Sequence, residues 1–295
     1  MIKYEKQYVN LINGERIAYI EKGKSKEKIL LLHGNMASSV HMVTLIDKLK
    51  DRYHVIAPDL RGFGDSSFNN SFMSLKELAF DLILFCQKLE IANAHVIGWS
   101  TGFGVAMELA IIQPSLVKSL FSLEGMSVKG YYSLRNDKDG NEIANKVFNS
   151  YLEMKQDKSM QFICDALATG DYDLIRNIWN NTLLVVKKVN DYLLDLYVKE
   201  TLKQRCQMNI NWCWVNFNIS DEPNLYAKGT GEMHGIKCPI YLTLGLKDNI
   251  VTEKMIMENA KLLNNPKLFI FENAGHCLHY DELDKLVAII KNHLS

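Results

Sequence analysis

The stretch HVIGWSTGFG, residues 95–104, decides the fold of this chain. Apolar, strand-like residues lead into the pattern G-x-S-x-G, and residues 101–112 then follow helical spacing. A strand that passes directly into a helix through this pattern makes a sharp, strained turn that exposes the serine. Gly98 and Gly102 omit side chains that would collide where strand and helix come close. The pattern therefore predicts that Ser100 projects from the carboxyl edge of a sheet, at a helix N-terminus that favours negative charge.

Strand-like and helical segments alternate around this stretch. The strand-like segments lie at 29–32, 53–59, 95–98, 117–123, 240–245 and 267–271, and the helical patterns lie at 39–49, 75–89, 101–112, 252–263 and 282–293. This alternation predicts a largely parallel sheet with helices on both faces. Residues 5–22 contain an Asn13-Gly14 pair, which readily takes the positive φ angles of a hairpin turn. We therefore predict an antiparallel hairpin at one edge of the sheet.

The alternation stops in the middle of the chain, where the segments from about 126 to 219 are mainly helical. Apolar residues share one helical face over 142–155 and again over 172–186, whereas 208–219 does not distinguish helix from strand. Polar, turn-rich segments border this part. We therefore predict a sheet core that is interrupted by a helical insertion: a first core part at 1–125, the insertion at 126–235 and a second core part at 236–295.

Composition excludes several classes of partner. Lys plus Arg and Asp plus Glu both total 34, so no net charge attracts nucleic acid or an anionic membrane. No segment approaches the roughly 18 apolar residues of a membrane span, and the N-terminus is charged where a secretory signal would be apolar. The cysteines show neither a C-x-x-C pair nor zinc-site spacing: Cys86, Cys164, Cys206, Cys213, Cys238 and Cys277. We expect reduced thiols, no metal and a cytoplasmic location.

Two residues in the last third of the chain supply what a serine nucleophile requires. Asp248 follows a strand that ends near Gly245, and His276 follows the next strand across a short loop. Both positions are carboxyl ends of strands, where open α/β sheets place their functional sites. A base oriented by a carboxylate activates a hydroxyl group, so we predict a triad of Ser100, His276 and Asp248. Glu124, at the end of the strand before the insertion, is the alternative acid.

With five motifs in this order the chain resembles the α/β-hydrolase superfamily: LLLHGN at 30–35, DLRGFGDS at 59–66, GWSTG at 98–102, GLKD at 245–248 and NAGH at 273–276. The resemblance implies a mostly parallel eight-stranded sheet flanked by helices, with the insertion as a helical cap over the site. It also implies an oxyanion hole formed by the backbone amides of Asn35 and Thr101, with Met36 as second choice. It implies no metal or organic cofactor.

The expected activity is hydrolysis of a small ester, thioester or lactone through an acyl-enzyme on Ser100, with activity falling at acidic pH as the base takes up a proton. A serine at the elbow argues against haloalkane dehalogenases and epoxide hydrolases, whose covalent intermediates require a carboxylate. Three alternatives remain: an aminopeptidase of the proline iminopeptidase type, a triad-bearing receptor or signalling protein with little turnover, and a cofactor-free perhydrolase activity. The small-molecule acyl substrate itself is not identified, nor is the oligomeric state.

Further residues have a structural and a functional interpretation. The aromatic residues either line an acyl pocket or, more commonly, fill the core: Trp99, Trp179, Trp212, Trp214 and Phe217. Acidic residues of the predicted cap either bind a substrate ammonium group or lie on solvated helix faces: Glu142, Glu153 and Asp165. We interpret the remaining polar residues near the motifs as structural: His33, Asp59, Arg61, Asp65 and Cys277.

Overall fold

A single sheet of eight strands forms the centre of the molecule, in the spatial order β1-β2-β4-β3-β5-β6-β7-β8. The computed structural model describes residues 4–137 and 141–294. The strands are β1 (Gln7–Asn10), β2 (Arg16–Lys22), β3 (Lys28–Leu32), β4 (His54–Pro58), β5 (Ala94–Trp99), β6 (Val117–Leu123), β7 (Ile240–Gly245) and β8 (Lys267–Phe271). The pairs β1-β2 and β2-β4 are antiparallel, and all other pairs are parallel. The predicted mostly parallel eight-stranded α/β sheet is thus confirmed.

The helices connect the strands and cover the sheet. They are α1 (Val43–Leu49), α2 (Leu75–Lys88), α3 (Thr101–Ile112), α4 (Tyr151–Gln156), α5 (Lys158–Thr169), α6 (Tyr172–Ile178), α7 (Asp191–Thr201), α8 (Gln207–Asn216), α9 (Glu253–Leu262), α10 (Leu278–Asp281) and α11 (Leu283–His293). A π-helical turn, Trp179–Leu183, continues α6. Within the described part of the chain, no helix is both long and apolar enough to cross a membrane.

Strand β3 shows why both faces of the sheet are covered. Leu30 and Leu32 point into one buried cluster, which also contains residues of α2 and α3. Ile29 and Leu31 point into a second buried cluster, which contains residues of α1 and α11. Successive side chains of a strand face opposite sides of the sheet, so a strand that is buried on both faces reads as a continuous apolar run. This is why the central strands were recognisable in the sequence.

The helices α4 to α8 lie between β6 and β7 in the chain, within the segment predicted as the cap. Trp179, Leu193 and Tyr197 of this segment share a buried cluster with Trp99 and Leu45 of the core. This segment, which we call the cap by its predicted role, is therefore packed against the sheet and its helices by apolar contacts. Each Å² of apolar surface removed from water there contributes roughly 25 cal/mol to stability. The three-part division at 1–125, 126–235 and 236–295 stays a prediction.

One predicted helix is shorter than its apolar spacing indicated. The spacing predicted a helix from residue 142, but α4 begins at Tyr151, so the prediction was wrong for 142–150. The backbone amide of Ile143 donates to the carbonyl of Arg135 at 2.8 Å, so this segment pairs with neighbouring backbone instead of coiling. The Ser150 side chain then accepts from the Glu153 amide and caps the helix. The undecided segment 208–219 is mainly helical and belongs to α8.

Lys6 links the start of the chain, the turn after β4 and the cap. Its ammonium group lies 2.8 Å from a carboxylate oxygen of each of Asp59, Asp65 and Glu200. Burial lowers the pKa of Lys6, but the charges of Asp59 and Glu200 outweigh it and raise that pKa on balance. The three carboxylates lie close enough together to hold a metal ion, yet a protonated lysine already contacts all of them. The cluster is therefore interpreted as a contact between core and cap.

Candidate active site

Ser100 occupies the turn between β5 and α3 with a backbone conformation that L-residues rarely adopt. Its φ and ψ angles are 53° and −121°. A Cβ atom on Gly98 would lie 2.6 Å from the amide nitrogen of Phe103, and one on Gly102 would lie 2.5 Å from the carbonyl oxygen of His33. Neither approach is tolerated by a side chain, so both glycines are required for strand and helix to meet at this angle. The strained turn places Ser100 at the carboxyl edge of the sheet.

The loops after β7 and β8 bring Asp248 and His276 together. His276 Nδ1 lies 2.8 Å from Asp248 Oδ2, and both side chains are buried. Asp248 Oδ1 accepts hydrogen bonds from the backbone amides of Ile250, at 2.7 Å, and Val251, at 3.1 Å. The Trp99 indole donates to the carbonyl of His276 at 2.8 Å. Because Nδ1 faces the carboxylate, the other ring nitrogen, Nε2, remains for a proton exchange with a second group.

Ser100 and His276 line one cavity of about 240 Å³, together with Asn35 and Thr101. The remaining wall of this cavity, which we call the catalytic cavity, is mostly apolar: Met36, Met126, Tyr131, Ile178, Thr182, Leu183, Trp214, Ile250 and Val251. Over residues 4–137 and 141–294, no Asp or Glu side chain lines it. The structure thus brings the predicted nucleophile, base and oxyanion residues to one apolar space.

The hydrogen bonds of the backbone amides near Ser100 distinguish between Asn35 and Met36, the two candidates for the first oxyanion donor. The amide of Met36 donates to the side-chain oxygen of Gln204 at 2.9 Å. In the part of the chain that the structure describes, the amide of Asn35 donates no hydrogen bond. Thr101 is the first residue of α3, so its amide has no acceptor within the helix. Asn35 and Thr101 are therefore the residues whose amides are available to a negatively charged oxygen in the cavity.

Side-chain amides from the cap hold the loop that carries Asn35. Gln204 Nε2 donates to Asn35 Oδ1 at 2.8 Å, and Asn35 Nδ2 donates to Gln207 Oε1 at 3.0 Å. Gln207 in turn donates to Asn211 at 2.7 Å. We call Gln204, Gln207 and Asn211 the cap amides. The sequence analysis missed them, although Gln207 and Asn211 lie four residues apart on one face of α8, with Gln204 just before the helix.

The cap also contacts Thr101, the second residue of the predicted oxyanion hole. The indole nitrogen of Trp214, in α8, donates to the hydroxyl of Thr101 at 2.8 Å. Among the aromatic residues singled out in the sequence, Trp214 is the one in the cavity wall. Trp99, Trp179 and Phe217 are buried in the apolar clusters instead. Their position agrees with the commoner interpretation of such residues as core.

Glu124, the alternative acid, lies next to Asp248. Its carboxyl oxygens accept hydrogen bonds from the Thr243 hydroxyl and the Gly245 amide, both at 3.0 Å, and within the described chain it makes no hydrogen bond to His276. Burial raises the pKa of Glu124 well above its ordinary value, and the neighbouring charge of Asp248 raises it further. Asp248 is therefore the carboxylate that orients the imidazole.

The residues interpreted as structural lie outside the cavity wall. His33 donates from Nδ1 to the Gly34 carbonyl at 2.7 Å and accepts at Nε2 from the Leu60 amide at 3.0 Å. Burial lowers the pKa of His33, so the ring stays neutral. Burial raises the pKa of the Cys277 thiol well above its usual range, which leaves it unreactive.

The acidic cap residues do not reach the catalytic cavity either. Glu142 and Asp165 are exposed, and Glu153 pairs with Arg135. A substrate bound beside Ser100 therefore meets no carboxylate from these residues. This observation counts against the aminopeptidase alternative, which requires a carboxylate for the substrate ammonium group.

Comparisons with known proteins agree with this architecture. A family model described as alpha/beta hydrolase fold matches residues 28–283. The chain is 36% identical over 109 residues to the dihydrolipoyllysine-residue acetyltransferase component of the acetoin cleaving system of Cupriavidus necator. That match covers 37% of this chain and only 29% of the relative. The magnesium-chelatase 30 kDa subunit of Rhodobacter capsulatus is likewise matched over only 31% of its length.

Two further proteins are similar over nearly their whole length. The proline iminopeptidase PfmaB of Pestalotiopsis fici is 24% identical over 288 residues, which cover 96% of this chain and 97% of the relative. A solved esterase from Exiguobacterium antarcticum superimposes with a TM-score of 0.75 at 16% identity and covers 98% of this chain and 99% of its own. The structural likeness supports the fold, and the family match extends across both sides of the predicted cap segment. This chain belongs to the alpha/beta hydrolase fold family.

Proposed function

We propose that the protein is a serine hydrolase that cleaves small uncharged esters, thioesters or lactones through an acyl-enzyme on Ser100. One observation carries the proposal: the imidazole of His276, held by Asp248 at 2.8 Å, shares an apolar cavity with the strained serine. A nucleophile, a base oriented by a carboxylate and two available amides are the parts that acyl transfer requires.

The reaction follows from the position of each group. Ser100 Oγ attacks the acyl carbon while its proton passes to His276 Nε2. The bond between the acyl carbon and the leaving oxygen or sulfur then breaks, and the leaving group takes that proton. Water enters, gives a proton to the same nitrogen and attacks the acyl-enzyme, so that the acid is released and Ser100 regains its proton. Asp248 stabilises the imidazolium during both halves and is not itself protonated.

The amides of Asn35 and Thr101 would stabilise the oxyanion of each tetrahedral intermediate. Loss of one such donor typically costs about 2.7–4 kcal/mol of transition-state stabilisation, because the donors are already oriented when the charge develops. The N-terminus of α3 adds a favourable dipole at the same place.

The wall of the catalytic cavity favours short, uncharged acyl groups. Its volume of about 240 Å³ limits the length of the acyl chain, and Met, Ile, Leu and Val supply six of its thirteen lining residues. A charged acyl group would lose its hydration there without gaining a partner. We therefore expect butyrate-sized esters to be better substrates than long-chain or charged ones.

The proposal is tested with Ser100→Ala and p-nitrophenyl butyrate. We expect kcat to fall by at least about 10⁴-fold, because removal of a triad nucleophile leaves only binding and oxyanion stabilisation. A fluorophosphonate should label the wild type once, at Ser100, as read by peptide mass mapping. Ser115→Ala, a change at an exposed serine, serves as the matched control. Full activity in Ser100→Ala would refute the mechanism.

A second candidate is an aminopeptidase that removes N-terminal proline. The similarity to PfmaB over 96% of this chain favours it. An enzyme of this kind needs an anion for the substrate ammonium group, whereas no carboxylate of the described residues lines the catalytic cavity. Comparing kcat/KM for prolyl p-nitroanilide and p-nitrophenyl butyrate separates the two candidates, and we expect the ester to be preferred.

A further inference from the structure

Met36, in the loop after β3, has a backbone conformation that residues with a side chain rarely adopt. Its φ angle is 56°, in the left-handed region. It directly follows Asn35, whose amide is the proposed oxyanion donor, and both residues line the catalytic cavity. Within the described part of the chain, no backbone group forms a hydrogen bond with the amide or the carbonyl of Met36. Other groups must therefore hold this strained residue in place.

Two side chains of the cap bind the peptide groups on either side of Met36. The Met36 amide donates to Gln204 Oε1 at 2.9 Å, and the Thr201 hydroxyl donates to the Met36 carbonyl at 2.5 Å. Thr201 is the last residue of α7, and the amide of Gln204 donates to its carbonyl at 3.0 Å. Both residues are buried, with exposed fractions of 0% and 3%. One turn of the cap thus holds the left-handed residue from both sides.

The direction of the Thr201 hydrogen bond is fixed by a second partner. The indole Nε1 of Trp179 lies 2.9 Å from Thr201 Oγ1. An indole nitrogen can only donate, so the Thr201 oxygen accepts this bond, and its one hydroxyl proton is left for the Met36 carbonyl. The neighbouring Glu200 adds a third contact to the loop, because its Oε2 accepts from the Ser38 hydroxyl at 2.9 Å. The cap itself therefore orients the Thr201 hydroxyl toward the loop.

We propose that Thr201 is a positioning residue of the oxyanion hole, which holds the left-handed Met36 and so keeps the amide of Asn35 directed at the catalytic cavity. The inference rests on the proposed acyl transfer at Ser100. Thr201 is not among the described residues that line this cavity, so it acts on the reaction through the backbone of the loop. Without its hydrogen bond, the loop can relax toward an unstrained conformation, and the oxyanion donor moves away from its place.

The first test measures kcat and KM for p-nitrophenyl butyrate in Thr201→Val and Thr201→Ser. Valine keeps the shape of the side chain but lacks the hydroxyl. We expect kcat to fall by about 10- to 100-fold at nearly constant KM, because a misplaced donor stabilises the oxyanion less while the cavity wall is retained. Serine keeps the hydroxyl and should retain most of the wild-type kcat. Wild-type kcat in Thr201→Val would overturn the proposal.

The second test measures the affinity for a trifluoromethyl ketone with a butyl chain. Ser100 Oγ adds to its carbonyl carbon while the hydroxyl proton passes to His276, and the adduct carries an oxyanion. The affinity should fall in Thr201→Val by about the same factor as kcat/KM, since both depend on the oxyanion donors. A loss of kcat without a loss of affinity for this inhibitor would show that Thr201 acts elsewhere than on the oxyanion hole, and would overturn the proposal.

Hydrogen exchange, followed by NMR, tests the structural step without substrate or inhibitor. The Met36 amide should exchange slowly in the wild type, because it is buried and donates to Gln204, and at least about tenfold faster in Thr201→Val. An unchanged exchange rate would contradict the positioning role. If the wild type neither hydrolyses esters nor takes the fluorophosphonate label, the proposed function fails and the oxyanion role with it, whereas the exchange rate still decides whether Thr201 holds Met36.

Two control variants separate positioning from a loss of stability. Thr201→Val also deprives the Trp179 indole of its acceptor, so its melting temperature should fall. Val198→Ala removes a buried side chain from the same helix and should lower the melting temperature too, but with wild-type kcat at temperatures well below melting. Thr44→Val, at a threonine whose hydroxyl has no hydrogen-bond partner among the described residues, should reduce neither. An equal loss of kcat in Val198→Ala would show that stability, not position, causes the effect.

Discussion

The site has two halves, one on the sheet and one on the cap, and they are built differently. Ser100, Asp248 and His276 each follow a strand of the same sheet, so the parallel topology alone brings them to one edge. The cap half consists of side-chain contacts between distant segments, such as that of Gln204 with Asn35, which lie 169 positions apart. The sheet half contains the proposed reacting groups, and the cap half holds the loop of Asn35, the proposed oxyanion donor.

Because of this difference, we expect substitutions in the sheet half to reduce activity more than substitutions in the cap half. A change in the sheet half removes the nucleophile, the base or the carboxylate that orients the base, whereas a change in the cap half only misplaces an oxyanion donor. Effects of the first kind typically reach several orders of magnitude, and those of the second kind one or two. Two substitutions test this ranking, and a third, outside both halves, tests an effect on stability.

The largest effect is expected for Asp248→Asn. The amide oxygen or nitrogen that replaces Oδ2 cannot hold the Nδ1 proton of His276 as a carboxylate does, so the imidazole loses its charged partner and its tautomer. We expect kcat for p-nitrophenyl butyrate to fall by about 10⁴-fold with unchanged melting behaviour. Asp284→Asn, at an exposed aspartate, is the matched control. A loss smaller than tenfold would show that Glu124 or another group takes over the orienting role.

A smaller effect is expected for Gln204→Leu, in the cap half. This change removes the acceptor of the Met36 amide and the donor to Asn35, while it retains a similar volume. We expect kcat to fall by about 10- to 100-fold and KM to change less, because the oxyanion amide is displaced and the apolar wall is retained. Gln87→Leu, at an exposed glutamine of α2, provides the control. Wild-type kcat in Gln204→Leu would contradict a role of the cap in the oxyanion hole.

The smallest effect is expected for Glu108→Gln, where α3 faces Lys76 of α2 and Glu232, at the end of the predicted cap segment. Lys76 Nζ lies 2.5 Å from Glu232 Oε1 and 3.9 Å from Glu108 Oε2, and the latter oxygen has no hydrogen-bond partner. Burial raises the pKa of Glu108 to about 7. The folded state thus holds the proton more tightly than the unfolded state, and stability is lost as pH rises from the ordinary carboxyl range through about 7.

The variant Glu108→Gln carries no ionisable group at this position, so its stability should not fall as pH rises through this range. Its melting temperature is expected to exceed that of the wild type by about 3 °C at mildly alkaline pH and to match it at acidic pH, with ester turnover unchanged. Glu253→Gln, at an exposed glutamate, should show no such difference. Parallel stability curves for Glu108→Gln and wild type would show that Glu108 ionises as an ordinary carboxyl group.

The accuracy of the sequence-based predictions follows the same division. Helix α3 begins and ends where its pattern predicted, because Gly98 and Gly102 restrict the turn locally and the helix is apolar throughout. In the cap, the apolar spacing over 142–155 suggested a helix that in fact starts at Tyr151. There the backbone bond between Ile143 and Arg135 overrides the local preference, and no short-range pattern encodes it.

The amino-acid sequence by itself determined the sheet, the elbow at Ser100 and the strand ends that carry Asp248 and His276. These depend on local signals: the strict side-chain alternation of strands, helical spacing and glycines at close approaches. Only the tertiary structure decided that the Met36 amide donates to Gln204, while the Asn35 amide donates no hydrogen bond within the described residues. Such contacts depend on distances between segments far apart in the chain, and burial and charge act on a group only once these segments have met.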